Sequence, residues 1–247
     1  MREKPRFTLD KIKFSCDPAT FERAVHLYES KKVTQFEENI RSYSAVVLGT
    51  QPYWVSVEAR RYDYGHCECY LGQRDTLCKH MVALALYTVK DGKPLTDEDK
   101  KQHTEVSCSG RTGTLSKTEL ASVKKSITAA MRYIKPYEGP SRIWFAYQGS
   151  LSEGCARLTK IVSDFPVSEQ TAVLLVDMLI RLDDKLCRSG VDDSDGTVGG
   201  FIEEVVIMLT KYADLDPNCK KAFRSLENRE TCFGWEEPLV RINKLRE

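Results

Sequence analysis

The chain has 247 residues, 41% of them hydrophobic and 30% charged, with a formal net charge of +1. That balance excludes a disordered chain and a uniformly basic nucleic-acid coat, and it allows one large domain or two small ones. No apolar run approaches the ~18 residues that span a bilayer, and no apolar stretch follows the charged start Met1–Arg6, so an intracellular protein is expected, cytoplasmic or, in a eukaryote, nuclear.

The near-neutral total hides an asymmetry. Residues 1–149 carry +6 and residues 150–247 carry −5, with −7 on residues 150–216 alone. Asp17-Pro18 opens the first predicted helix, with Asp as N-cap and Pro at the first helical position. Phe21, Ala24, Val25 and Tyr28 then recur at helical spacing up to Ser30. Short segments of period two follow, at Val33-Gln35-Glu37, at Ala45-Val47 and at Tyr53-Val55-Val57, punctuated by Gly49-Thr50-Gln51-Pro52. They predict a small antiparallel meander that runs to about Tyr64 and is broken by Gly65. Lys79–Tyr87 reads as a helix with Val82, Ala83, Leu86 and Tyr87 on one face, stopped by Asp91-Gly92-Lys93-Pro94.

Residues 93–116, with a mixed charge run and two glycines, read as a linker between a first domain over 1–92 and a second over 117–247. From Lys117 onward the pattern is helical. Leu120, Val123, Ile127, Ala130, Met131 and Ile134 mark one helix, closed by Pro136. Ser168 caps an apolar helix over Glu169–Leu186, and Val198, Phe201, Ile202, Val205, Leu209 and Tyr212 mark its antiparallel partner. Shorter helices fit 218–227 and 236–245. The predicted fold class is α+β, a small antiparallel meander with helices and a zinc clip, followed by an all-α bundle.

Nine cysteines are present, and three of them, Cys67, Cys69 and Cys78, cluster with His80. This clustering favours a metal site in a reducing compartment over a disulfide framework. The other six, Cys16, Cys108, Cys155, Cys187, Cys219 and Cys232, read as small buried hydrophobes. Cys67 and Cys69 are two apart, so an extended segment points both sulfurs to one side. Cys78 and His80 fall where the chain enters a helix, and the free N–H groups there favour a thiolate. Three thiolates and one imidazole suit a single tetrahedral zinc, and four protein ligands leave no position for an activated water. The expectation is one structural zinc and no enzymatic activity. His66, beside Cys67, is placed outside the ligand set.

With Ala24, Tyr28, Ala45-Val46-Val47 and Tyr53–Val57 upstream, Cys67-Glu68-Cys69, Cys78-Lys79-His80 and the helix Met81–Leu86 resemble the SWIM zinc finger family. The resemblance covers residues 18–90, about a third of the chain. It implies a ββα-like zinc module that contacts DNA or protein. The chain contains no G-x-x-x-x-G-K-[ST] segment, so the ATPase relatives of such modules are excluded.

Two basic sets are candidates for a binding surface. Around the cysteines, Arg60, Arg61, Arg74 and Lys79 alternate with Tyr62, Tyr64 and Tyr70, a mix suited to nucleic acid, though acidic residues dilute it. On the helix from Lys117, the residues Lys117, Lys124, Lys125, Arg132 and Lys135 share one helical sector, which fits either a phosphate-contacting ridge or a solvated face. Asp192-Asp193-Ser194-Asp195-Gly196 fails as a calcium loop, because Val191 and Ile202 stand where ligating acids are required. It reads as a polar turn. The sequence therefore predicts a nucleic-acid-binding or recruitment factor, or else an adaptor docking on an ATPase or another protein. DNA or a protein is the partner, and no membrane or small-molecule substrate is involved.

Overall fold

The computed structural model describes residues 3–139 and 144–244, with backbone alone at 144–146 and 244. The chain divides into two compact units, residues 1–102 and 103–247. The architecture is α+β, with a four-stranded antiparallel sheet in the first unit and helices throughout the second.

In the first unit, α1 (Leu9–Ser15) and α2 (Pro18–Glu29) precede strands β1 (Val33–Glu38), β2 (Ser42–Leu48), β3 (Pro52–Glu58) and β4 (Gly65–Cys67). The strands lie in the order β1-β2-β3-β4, each antiparallel to the next. The Asp17 side chain accepts the Thr20 N–H at 2.9 Å and caps α2, so Phe21, Ala24, Val25 and Tyr28 turn inward as their spacing requires. Ala45 pairs with Val55, and Val55 with Cys67, which carries the buried face of the sheet directly into the first cysteine.

Helix α3 (Lys79–Lys90) packs on β2, β3 and α2. Met81 to Leu86 are all buried, so α3 is apolar on every side, not on one face, and forms the central helix of the unit. It runs one turn further than its periodicity shows and ends at Asp91, which adopts a left-handed conformation.

Two local expectations are corrected, and one short helix lies outside the sequence reading. Gly65 does not break the meander but starts β4, paired with Val57. A Cβ there would lie 2.0 Å from the Ser56 carbonyl oxygen, so only glycine lets this edge strand close on β3. In β1 the alternation fails at Gln35, whose φ of 50° accompanies a register shift between Thr34 and Glu37. The bulge turns Phe36 onto the core in place of Gln35 and Glu37. Helix α1 is too short for periodicity to reveal; Thr8 caps it and Ile12 and Phe14 anchor it.

The segment read as a linker is held at both ends. Residues up to 102 belong to the first unit, where Thr96 and Asp99 form a capping box on α4 (Asp97–Lys100). Asp99 also pairs with Lys90 at 2.7 Å, and Tyr28 donates to the Lys93 carbonyl at 2.5 Å. Residues from 103 onward belong to the second unit. There the Ser109 hydroxyl donates to the Phe165 carbonyl at 2.6 Å, and Thr112 bridges Val167.

The second unit contains α5 (Lys117–Ala130), α6 (Trp144–Ser163), α7 (Glu169–Arg188), α8 (Thr197–Leu215), a 3-10 helix over Pro217–Leu226 and α9 (Glu237–Lys244). Ser168 caps α7 as expected, and the six marker residues of α8 are all buried. Helix α6 buries Glu153 completely, paired with Arg157 one turn on at 2.9 Å. The acidic loop before α8 is spent on its start: Asp193 accepts the Val198 and Gly199 N–H groups, each at 2.8 Å. Burial pushes the Asp193 carboxyl above its ordinary value. Among the described residues no helix is long and apolar enough to cross a membrane.

Candidate metal centre

Cys67, Cys69, Cys78 and His80 are all buried, and their four donor atoms lie within 4.8 Å of one another. Each is placed by a different device. Cys67 ends β4, facing inward in register with Val55. The Glu68 side chain turns out and accepts the Trp54 N–H at 2.8 Å, while the Glu68 N–H donates to the Trp54 carbonyl at 3.3 Å. These two bonds pin the Cys-x-Cys clip to β3. A 3-10 turn over Gly72–Arg74 then reverses the chain and returns it to Cys78, the N-cap of α3. His80 follows in the first turn of that helix.

The distances fit a small tetrahedral ion. Metal–sulfur bonds near 2.3 Å and metal–nitrogen bonds near 2.0 Å require ligand edges of about 3.5–3.8 Å. His80 Nδ1 lies 3.7 Å from Cys67 Sγ and 3.9 Å from Cys78 Sγ. With Nδ1 as donor, the ring proton sits on Nε2, which is buried without a hydrogen-bond partner. Packing holds the ring instead: the Tyr53 ring is 4.7 Å away, and a Cβ on Gly49 would come within 2.8 Å of Nε2.

Backbone N–H groups also point at two of the sulfurs. The Cys69 N–H points at Cys67 Sγ at 3.5 Å, and the Gly72 N–H at Cys69 Sγ at 3.4 Å. The Cys78 thiol is held down to about 4 by hydrogen bonding from Cys67, aided by the His80 ring and the Met81 N–H at the helix start. Sharing that proton with Cys78, together with burial, pushes Cys67 up. Crowded thiols that push one another's ionisation apart are satisfied together when one cation replaces the shared protons. By geometry and by donor chemistry the four residues could hold one metal ion. His66, on the opposite face of β4, is exposed and stays outside it.

Sequence reasoning picked out the four donors that the fold brings together and missed their supports. Glu68, Gly49, Gly72 and Tyr53 touch the site through folding contacts that no linear spacing encodes. Gly72 is the tightest of them: a Cβ would lie 2.2 Å from the Cys67 carbonyl oxygen and 2.5 Å from Cys67 Cβ.

The basic residues proposed around the cysteines have partners of their own. Arg60 bonds Glu3 at 3.0 Å and Arg61 bonds Asp63 at 2.7 Å. Arg74 stacks over Tyr70 at 4.0 Å and Arg61 over Tyr64 at 5.0 Å. Lys79 is half-buried at the first position of α3. Tyr62 is buried, its hydroxyl 2.9 Å from that of Ser15, and is removed from the candidate surface. The second set lies on the other unit. Lys117, Lys124 and Lys125 are exposed on α5, which ends at Ala130. Arg132 and Lys135 are exposed beyond that end, so helical phase does not extend the ridge to them.

No protein-family model matches the chain, nor does any curated protein or solved structure.

Proposed function

We propose that the first unit is a zinc-stapled recognition module of SWIM type that contacts nucleic acid on the surface beside its metal loop. The observation that carries this reading is a set of exposed rings around the centre: Trp54 is 46% exposed, Tyr64 58% and Tyr70 66%. Two of them already carry a guanidinium on one face, from Arg61 and Arg74. Exposed rings flanked by arginine stack bases and contact phosphates. Zinc is the ion that three thiolates and an imidazole favour, and four protein ligands keep it structural. The role is therefore recognition or recruitment, without catalysis at the metal.

A second reading, a protein adaptor, is favoured by one feature of the second unit. An open groove of about 580 Å³ has Leu120, Val173 and Leu174 in its lining, together with three acids, Glu169, Asp177 and Asp216, against one cation, Lys124. Apolar and acidic groups in that combination fit a basic amphipathic segment of a partner protein.

A salt titration of binding to single- and double-stranded DNA separates the two. Nucleic-acid recognition requires affinity that falls steeply from low to physiological salt and drops when Arg61 and Arg74 are reversed to Glu. Absence of binding at low salt leaves the adaptor reading. Loss of binding on reversal of Lys124 and Lys125 alone moves the contact to α5.

A further inference from the structure

The six isolated cysteines do not share one fate. Cys16, Cys155 and Cys219 are buried, and Cys108 is half-buried against the helical core. Cys187 and Cys232 are exposed and joined to each other by a disulfide, although 45 residues separate them in sequence. Their Cα atoms are 5.8 Å apart, inside the range a disulfide spans without backbone movement. Cys187 lies in the last turn of α7, and Cys232 in the loop that leads to α9.

That loop is docked by a third residue. Asp183, one turn before Cys187 and buried, accepts the Cys232 N–H at 2.9 Å and the Trp235 indole N–H at 2.9 Å. Trp235 is itself buried in the core of the unit. Asp183 thus anchors the Cys232 loop beside the end of α7 through hydrogen bonds separate from the disulfide itself.

We infer that Cys187 and Cys232 form a reversible redox modification site, oxidised by disulfides of the glutathione class and reopened by dithiols. The step balances as thiol–disulfide exchange. One thiolate attacks a sulfur of glutathione disulfide and expels a glutathione thiolate. The second protein thiolate attacks the resulting mixed disulfide and expels the other. Two protein thiols lose two electrons and two protons, and glutathione disulfide becomes two thiols. The product joins the end of α7 to the loop before α9 across α8 and the 3-10 helix.

Exposure makes the pair selective. The metal-site cysteines are buried and ligated in the loaded protein, and a buried thiol is inert towards exchange. The reduced unit keeps its fold through Asp183 and Trp235, so the site changes local mobility, not architecture.

The test uses the full-length, metal-loaded protein in a series of glutathione redox buffers, quenched by alkylation and read by peptide mass spectrometry. The expected result is a concerted conversion of Cys187 and Cys232 into an internal bond, with a mass lower by two hydrogens, reversed by dithiothreitol. Hydrogen exchange at Cys232 and Trp235 should slow in the oxidised form. Cys187→Ser and Cys232→Ser should each abolish the internal bond and leave one thiol carrying glutathione. Separate glutathionylation of both thiols in the wild type overturns the inference. So does a second equivalent of zinc bound by the reduced protein and lost in Cys187→Ser.

Discussion

The substitution Gly72→Ala tests whether the metal centre depends on its cradle as much as on its ligands. The added methyl would begin 2.2 Å from the Cys67 carbonyl oxygen. Relief to an ordinary contact of about 3.2 Å demands roughly 1 Å of movement, against the ±0.2 Å or so that metal–ligand bonds tolerate. Cys67 is fixed in β4 by its pairing with Val55, so the Leu71–Asp75 turn must give way. Its retreat pulls the Gly72 N–H off Cys69 Sγ, a bond of 3.4 Å. Losing such an outer contact weakens metal affinity about 10- to 100-fold, or roughly 1.4–2.7 kcal/mol. Competition with a chromophoric chelator at neutral pH measures the effect. Gly200→Ala is the control, because a Cβ there meets nothing within 4 Å and alanine is favoured over glycine inside a helix such as α8. Wild-type affinity in Gly72→Ala would refute the reasoning that the 3-10 turn positions the thiolates.

Replacing a ligand should act more broadly: Cys69→Ser is expected to lose the metal and to unfold the first unit, read by metal analysis of the purified protein and by hydrogen exchange in α3; full occupancy would remove Cys69 from the ligand set. Asp183→Ala strands the Cys232 and Trp235 donors, at a cost of about 2–4 kcal/mol. Calorimetry should show a Tm lower by on the order of 5–10 °C, and an unchanged Tm would contradict the anchoring role. Asp99 is held down to about 2 by hydrogen bonding from Lys90, with the Thr96 N–H adding to it. Its folded value lies below its unfolded value, so the stability it adds is present above about pH 4 and lost as pH falls towards 2. The Tm gap between wild type and Asp99→Asn should close across that window; a gap independent of pH would assign the effect to packing.

The four clustered donors were legible because coordination chemistry is local: a Cys-x-Cys at the end of a strand and a Cys-x-His at a helix start need no knowledge of the rest of the chain. The α2 and α7 caps were legible for the same reason, since Asp17 and Ser168 act within a single turn. What escaped depends on close approach between distant segments. Gly49 read as a turn, Gly65 as a break and Gly72 not at all, yet each is glycine because another segment occupies the space of a side chain. The Cys187–Cys232 pairing spans 45 residues, and neither flank announces it. The basic residues were legible as a set but not in their pairing. Spacing groups them without showing that Arg60 and Arg61 are paired with Glu3 and Asp63, because charge counted along a chain takes no account of such pairing.

The position of the metal centre carries a consequence for the life of the protein. It lies where β4, the 3-10 turn and the central helix converge, and every one of its donors is buried. With a bound metal closing that junction, as proposed, a chain made while the metal is scarce would leave it open and present the apolar Met81–Leu86 segment to proteases and chaperones. Cellular abundance of this protein would then follow metal supply through turnover, with no change in synthesis.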